Sequence, residues 1–80
     1  MPTKNKPIHE IPLGLIRAAI WKHEHQGVVH YDTTFSRLYQ EGDTWKRTES
    51  FKRDDLLPLA KVADLAHSWI HAQPREATKP

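Results

Sequence analysis

Residues 28–39, VVHYDTTFSRLY, decide the fold. Val, Tyr, Thr and Phe are favoured on a pleated, half-buried surface, and here they alternate. Val29, Tyr31, Thr33 and Phe35 share one face, read as the buried one, and His30, Asp32, Thr34 and Ser36 share the other. The alternation degrades at Arg37, Leu38 and Tyr39, where a bulge would switch the faces.

Upstream, residues 15–23 split by parity in the same way, with Ile16, Ala18 and Ile20 on one face and Arg17, Ala19, Trp21 and His23 on the other. RAAIWKHE also suits a helix, because Ala, Lys and Glu are good formers, but the nearby Gly27 and the β-rich run beyond it favour a strand. HEHQG reads as the connecting turn. A short strand is expected at 8–11, with a turn or bulge around Pro12 and Gly14.

Downstream, QEGD offers Gly42-Asp43, an order that serves a tight hairpin. TWKRTESF then places Trp45, Arg47, Glu49 and Phe51 on one side and Lys46, Thr48, Ser50 and Lys52 on the other. Phe51 is the best candidate for burial, which aims Lys46 and Lys52 at solvent, and the charges on the parity of Phe51 suggest an edge strand. The stretch from Leu13 to Phe51 holds every aromatic residue of the chain except Trp69.

RDDLLPLAKVADLAHSWIHAQP ends the fold as a helix. Asp54 or Asp55 is placed to cap its first amides, and Pro58 is acceptable in the first turn. Leu56, Leu59, Ala60, Ala63, Ala66, Trp69 and Ile70 form the apolar stripe, with Val62 beside it. The expected class is α+β, a curved antiparallel sheet of three to four strands followed by one C-terminal helix packed on one face. Residues 8–73 form that single domain, between a disordered basic tail over 1–7 and a disordered polar tail over 74–80.

The 80 residues allow only a small core, so help from a second copy is expected. The absence of cysteine removes disulfides and thiolate metal sites and fits a reducing compartment. No apolar run approaches a signal peptide or a membrane span, and a cytoplasmic location is expected. The formal charge of +2 is unevenly spread, with seven Arg or Lys against five Asp or Glu over 15–53, and three against four over 54–80. The positive excess sits on the sheet.

LIRAAIWKH, GVVHYDTTFSRLY, TWKRTESF and the Asp-capped helix from Asp55 together resemble, in layout, the positive cofactor four family of transcriptional coactivators and its bacterial relatives. IRAAIW, SRLY, WK and RDDL, with AKVADLAHSWI behind them, also look like a group of small bacterial proteins of uncharacterised function. The first resemblance implies a dimer that pairs through its helices and presents its sheet faces to single-stranded DNA. It implies roles for basic and aromatic side chains on the solvent face of the strands, here Arg17, Trp21, Lys46 and Lys52. The chain departs from that pattern in bearing Asp32 and many Thr and Ser on this face.

Read from the residues themselves, Arg17, Trp21, Thr34, Ser36, Arg37, Lys46 and Lys52 offer charge, stacking and hydrogen bonds to a single-stranded nucleic acid, DNA or RNA. The alternative is a structural or protein-interaction domain that self-associates through its helix or sheet. No enzyme, cofactor or small-molecule substrate is expected: Asp54 and Asp55 read as caps, no serine sits in a glycine-flanked elbow, and three glycines build no phosphate loop. The histidine pairs His23/His25 and His67/His71 lack the accompanying motif of a zinc site, and no metal is expected.

Overall fold

The computed structural model describes residues 6–73. Four strands, β1 (His9–Leu13), β2 (Ile16–His25), β3 (Val28–Glu41) and β4 (Thr44–Thr48), form one antiparallel sheet in sequence order. A 3-10 turn, Arg53–Asp55, leads into helix α1 (Leu56–His71), so the architecture is the expected α+β sheet and C-terminal helix. No helix among the described residues is long and apolar enough to cross a membrane. Of the expected tails, residues 1–5 and 74–80 lie outside the described residues.

Each hairpin closes with two residues, and the turn chemistry explains why the strands run longer than the periodicity indicated. Gln26 and Gly27 both have positive φ (54° and 79°), the pattern of a type I′ turn, so β2 continues through His25 and only these two residues form the bend. Gly42 has φ 63° at the first position of the Gly42-Asp43 turn, the position at which a II′ turn needs glycine. Pro12 sits inside β1 rather than ending it, because β1 is an edge strand that tolerates a missing donor.

The expected bulge at Arg37 to Tyr39 does not occur. Pairing runs without a break from Ile16↔Arg37 to His25↔Val28 on one side of β3, and from Arg37↔Thr48 to Glu41↔Thr44 on the other. The apolar alternation ends there because Arg37 itself points to the helix side and is consumed by a polar contact. Its Nε lies 3.0 Å from Asp55 Oδ2 and donates to the Ser50 carbonyl at 3.3 Å, with the two side chains only 14% and 23% exposed.

Ile16, Ala18 and Ile20 are buried, as their parity predicted; Ile16 and Ala18 form the core cluster with Val62 of α1, and Ala66 one turn on is buried as well. Ile11, Phe35, Phe51 and Leu59 pack around this centre. The helix stripe is rotated from the expected one: it centres on Val62 and Ala66, while Leu56 and Ala60 are exposed, since α1 lies mainly over β2 and β1. Trp69 finishes the packing at the far end. It stacks on His9 with ring centroids 4.6 Å apart and meets Tyr31 edge-on at 6.2 Å.

Asp55 does not cap α1 with its side chain. Its carboxylate works one turn earlier, accepting the Lys52 N–H at 2.8 Å while the Asp55 N–H donates to the Lys52 carbonyl at 2.8 Å. Together with Arg37, this ties the helix start to the middle of β3. The described chain measures 51 × 32 × 14 Å, with a radius of gyration of 15.0 Å. A compact chain of this length has about 11 to 12 Å. The excess comes from β3, whose 14 residues span about 46 Å.

Candidate nucleic-acid interface

The face of the sheet turned away from α1 is assembled by register. Across β2 and β3, Arg17 opposes Ser36, Ala19 opposes Thr34, Trp21 opposes Asp32, and His23 opposes His30. β1 adds Glu10 beside Ala19, and β4 adds Arg47 opposite Leu38 and Trp45 opposite Gln40. Four of the seven residues singled out from sequence, Arg17, Trp21, Thr34 and Ser36, therefore share this open face.

The other three do not join them. Arg37 lies on the helix side in the contact with Asp55 and Ser50. Lys46 opposes Tyr39, also on the helix side, and pairs with Glu41 at 2.9 Å. Lys52 lies past the end of β4, where its N–H serves the turn before the helix. The assignment of Lys46 rested on Phe51 fixing the inner side of β4, but the strand stops at Thr48, and Phe51 reaches the core from the segment that follows.

The same correction brings in two residues that the parity argument had placed inward. Arg47 and the 55% exposed Trp45 stand on the open face. The signal for them was in the sequence: a two-residue turn at Gly42-Asp43 sets Arg47 opposite Leu38, and Leu38 shares the parity of Ser36 and Thr34.

A shallow groove of about 360 Å³ lies between Arg17, Trp21, Thr34, Ser36, Arg47 and Glu49, with Pro7 and Glu10 at its edge. The Trp21 indole N–H donates to Thr34 Oγ1 at 2.9 Å. That bond spans the two strands, fixes the ring over β3, and satisfies its polar atom within the protein, which leaves the ring for stacking. Arg17 Nη1 contacts Glu10 Oε1 at 3.2 Å, and its Nε is buried without an acceptor among the described residues. The face carries two arginines, Arg17 and Arg47, against Glu10, Asp32 and Glu49, so its charge is balanced rather than basic.

Such a surface can stack a planar ring and hold a phosphate between guanidinium and hydroxyl groups. Among the described residues, no group of three or more His, Asp or Glu side chains is arranged to hold a metal ion. His67 and His71 approach each other on the helix, with ring centroids 4.2 Å apart. Comparison of the chain with protein-family models, with curated proteins and with solved structures gives no match.

Proposed function

We propose that this protein is a non-enzymatic, cytoplasmic, homodimeric domain that binds single-stranded nucleic acid on the open face of its sheet. The observation that carries the reading is the bond from Trp21 to Thr34, which holds an aromatic ring in place on the face that also carries Arg17 and Arg47. The bases stack on Trp21, the arginines attract the phosphates, and Thr34 and Ser36 supply hydroxyls. A duplex hides its base faces in its own stack and gains little from Trp21, so preference for single strands follows.

Fluorescence anisotropy with single-stranded and duplex oligonucleotides at two salt concentrations tests the reading. Binding of the single strand that weakens with salt is expected. Failure to bind at low salt, or equal affinity for the duplex, refutes it.

A second reading, a domain devoted to self-association, is favoured by leucines that the fold leaves outside. Leu57 is 82% exposed, and Leu56 and Leu65 are also open, while only five apolar residues are buried among the described residues. Light scattering of the wild type and of Leu57→Lys decides it. A dimer lost in the variant, with no oligonucleotide binding in either, favours this second reading.

A further inference from the structure

We infer that His23 and His30 form a proton-gated phosphate subsite that extends the open face toward the tip of the β2–β3 hairpin. This rests on the nucleic-acid reading proposed above. The two histidines are directly opposite in the register, which sets their Cβ atoms about 4.5 to 5.5 Å apart on the same face. His25 follows two residues later on that face, at the end of β2. Trp21 precedes His23 by the same step, about 7 Å along the strand. A chain stacked on Trp21 therefore passes over the pair.

The charges around the pair explain why protons matter. On the open face, Asp32 of β3 lies 3.2 Å from His23, with side chains 58% and 68% exposed for His23 and Asp32. Among the described residues, Arg17 on β2, Glu10 on β1, and Arg47 and Glu49 in and after β4 are the other charged groups that the register and the groove place on that face. Lys22 and Glu24 project from the other side of the hairpin. With the histidines neutral, two arginines stand against three carboxylates.

Histidine is the side chain whose charge changes between about pH 5 and 8. Protonating His23, His25 and His30 reverses the sign of the face. Two imidazolium groups directly opposite each other repel, and Asp32 offsets only part of that repulsion. A phosphate oxygen placed between them accepts from both rings and removes the conflict. Anion binding and proton uptake thus reinforce each other, and the coupling is reciprocal.

The test is anisotropy of a rhodamine-labelled thymidine oligonucleotide of about 15 nucleotides, whose bases do not titrate in this range, from about pH 7.5 to about pH 5.5 at several ionic strengths matched across the pH series. The wild type is expected to bind at least about tenfold more tightly at the acid end, with a salt slope steeper by about 0.7 for each added contact. In the double variant His23→Gln, His30→Gln, checked for folding by circular dichroism, the ratio of affinities at the two pH values falls to near one. Trp21→Ala weakens binding at both pH values and keeps the ratio. Wild-type binding that does not change with pH, or a double variant that keeps the full ratio, overturns the subsite and leaves the nucleic-acid reading standing. Absence of binding at every pH overturns both.

Discussion

Arg37→Met is expected to cost stability and leave oligonucleotide binding unchanged, whereas Arg17→Met does the reverse. The two arginines are on adjacent stretches of paired strands but on opposite faces, which makes them a clean pair. Arg37 Nε sits 3.0 Å from Asp55 Oδ2 and 3.3 Å from the Ser50 carbonyl, and it is 14% exposed. Methionine keeps much of the buried stem and removes the guanidinium. Asp55 then retains the Lys52 N–H but loses its cation, in a site where it is 23% exposed.

Breaking an exposed ion pair costs about 0 to 1 kcal/mol, and breaking a fully buried one about 3 to 5 kcal/mol. Partial access of water to Asp55 places this case between them, at about 2 kcal/mol. For a domain of this size that corresponds to a drop in Tm of about 8 to 16 °C. Among the described residues Arg17 pairs with Glu10, with both side chains at least one third exposed. Its removal costs under about 1 kcal/mol but takes away the proposed phosphate contact, which is expected to flatten the salt slope of binding by about 0.7.

Urea unfolding followed by circular dichroism gives the stabilities, and anisotropy at several salt concentrations gives the slopes. A cycle with Asp55→Asn isolates the pair, with a coupling of about 1 to 2 kcal/mol expected. An Arg37→Met loss below about 0.5 kcal/mol would refute the assignment of Arg37 as the tie between β3 and the helix start. A binding defect equal to that of Arg17→Met would refute the assignment of the two faces.

Four further outcomes follow from the same geometry. Trp21→Ala is expected to weaken single-strand binding by about 1 to 3 kcal/mol, read by anisotropy, while Trp21→Phe keeps most of it. Ile20 is fully buried, so Ile20→Val costs about 0.5 to 1.5 kcal/mol in urea unfolding, and Ile20→Ala about 2 to 5 kcal/mol. Gln26 holds a positive φ that a long side chain dislikes, and Gln26→Asn, which gives the Asn-Gly pair favoured in a I′ turn, raises stability by about 0.5 kcal/mol in the same assay. His9→Ala removes the ring stacked on Trp69 and lowers stability by about 0.5 to 1.5 kcal/mol, with a change in tryptophan fluorescence.

Much of the fold was legible because it depends on local pattern. Period-two burial at Ile16, Ala18 and Ile20, and turn chemistry at Gly27 and Gly42, are properties of neighbouring residues, and the strands and hairpins follow from them. The helix was legible as an element but not in its rotation. Which side of α1 is covered depends on how far the sheet reaches beneath it, and that is a long-range quantity. Leu56 has the same local claim to burial as Leu59, yet it is exposed while Leu59 packs against the core.

The open face was legible only where a strand could be anchored from both ends. β2 carries three buried residues of one parity and β3 alternates half-buried with exposed positions, so Arg17, Trp21, Thr34 and Ser36 were placed correctly on one surface. β4 has five residues and none of them is buried, so its parity had to be borrowed from Phe51, which lies outside the strand. The turn was the better anchor. Gly42-Asp43 closes a two-residue hairpin, and counting back from it sets Lys46 beside Tyr39 and Arg47 beside Leu38. In a short edge strand without a buried residue, the hairpin turn therefore decides the face more firmly than the nearest aromatic does. Arg37 illustrates the complementary limit. A charged residue at an inward position reads as a break in the pattern until its partner, 18 residues away in Asp55, is brought beside it by the fold.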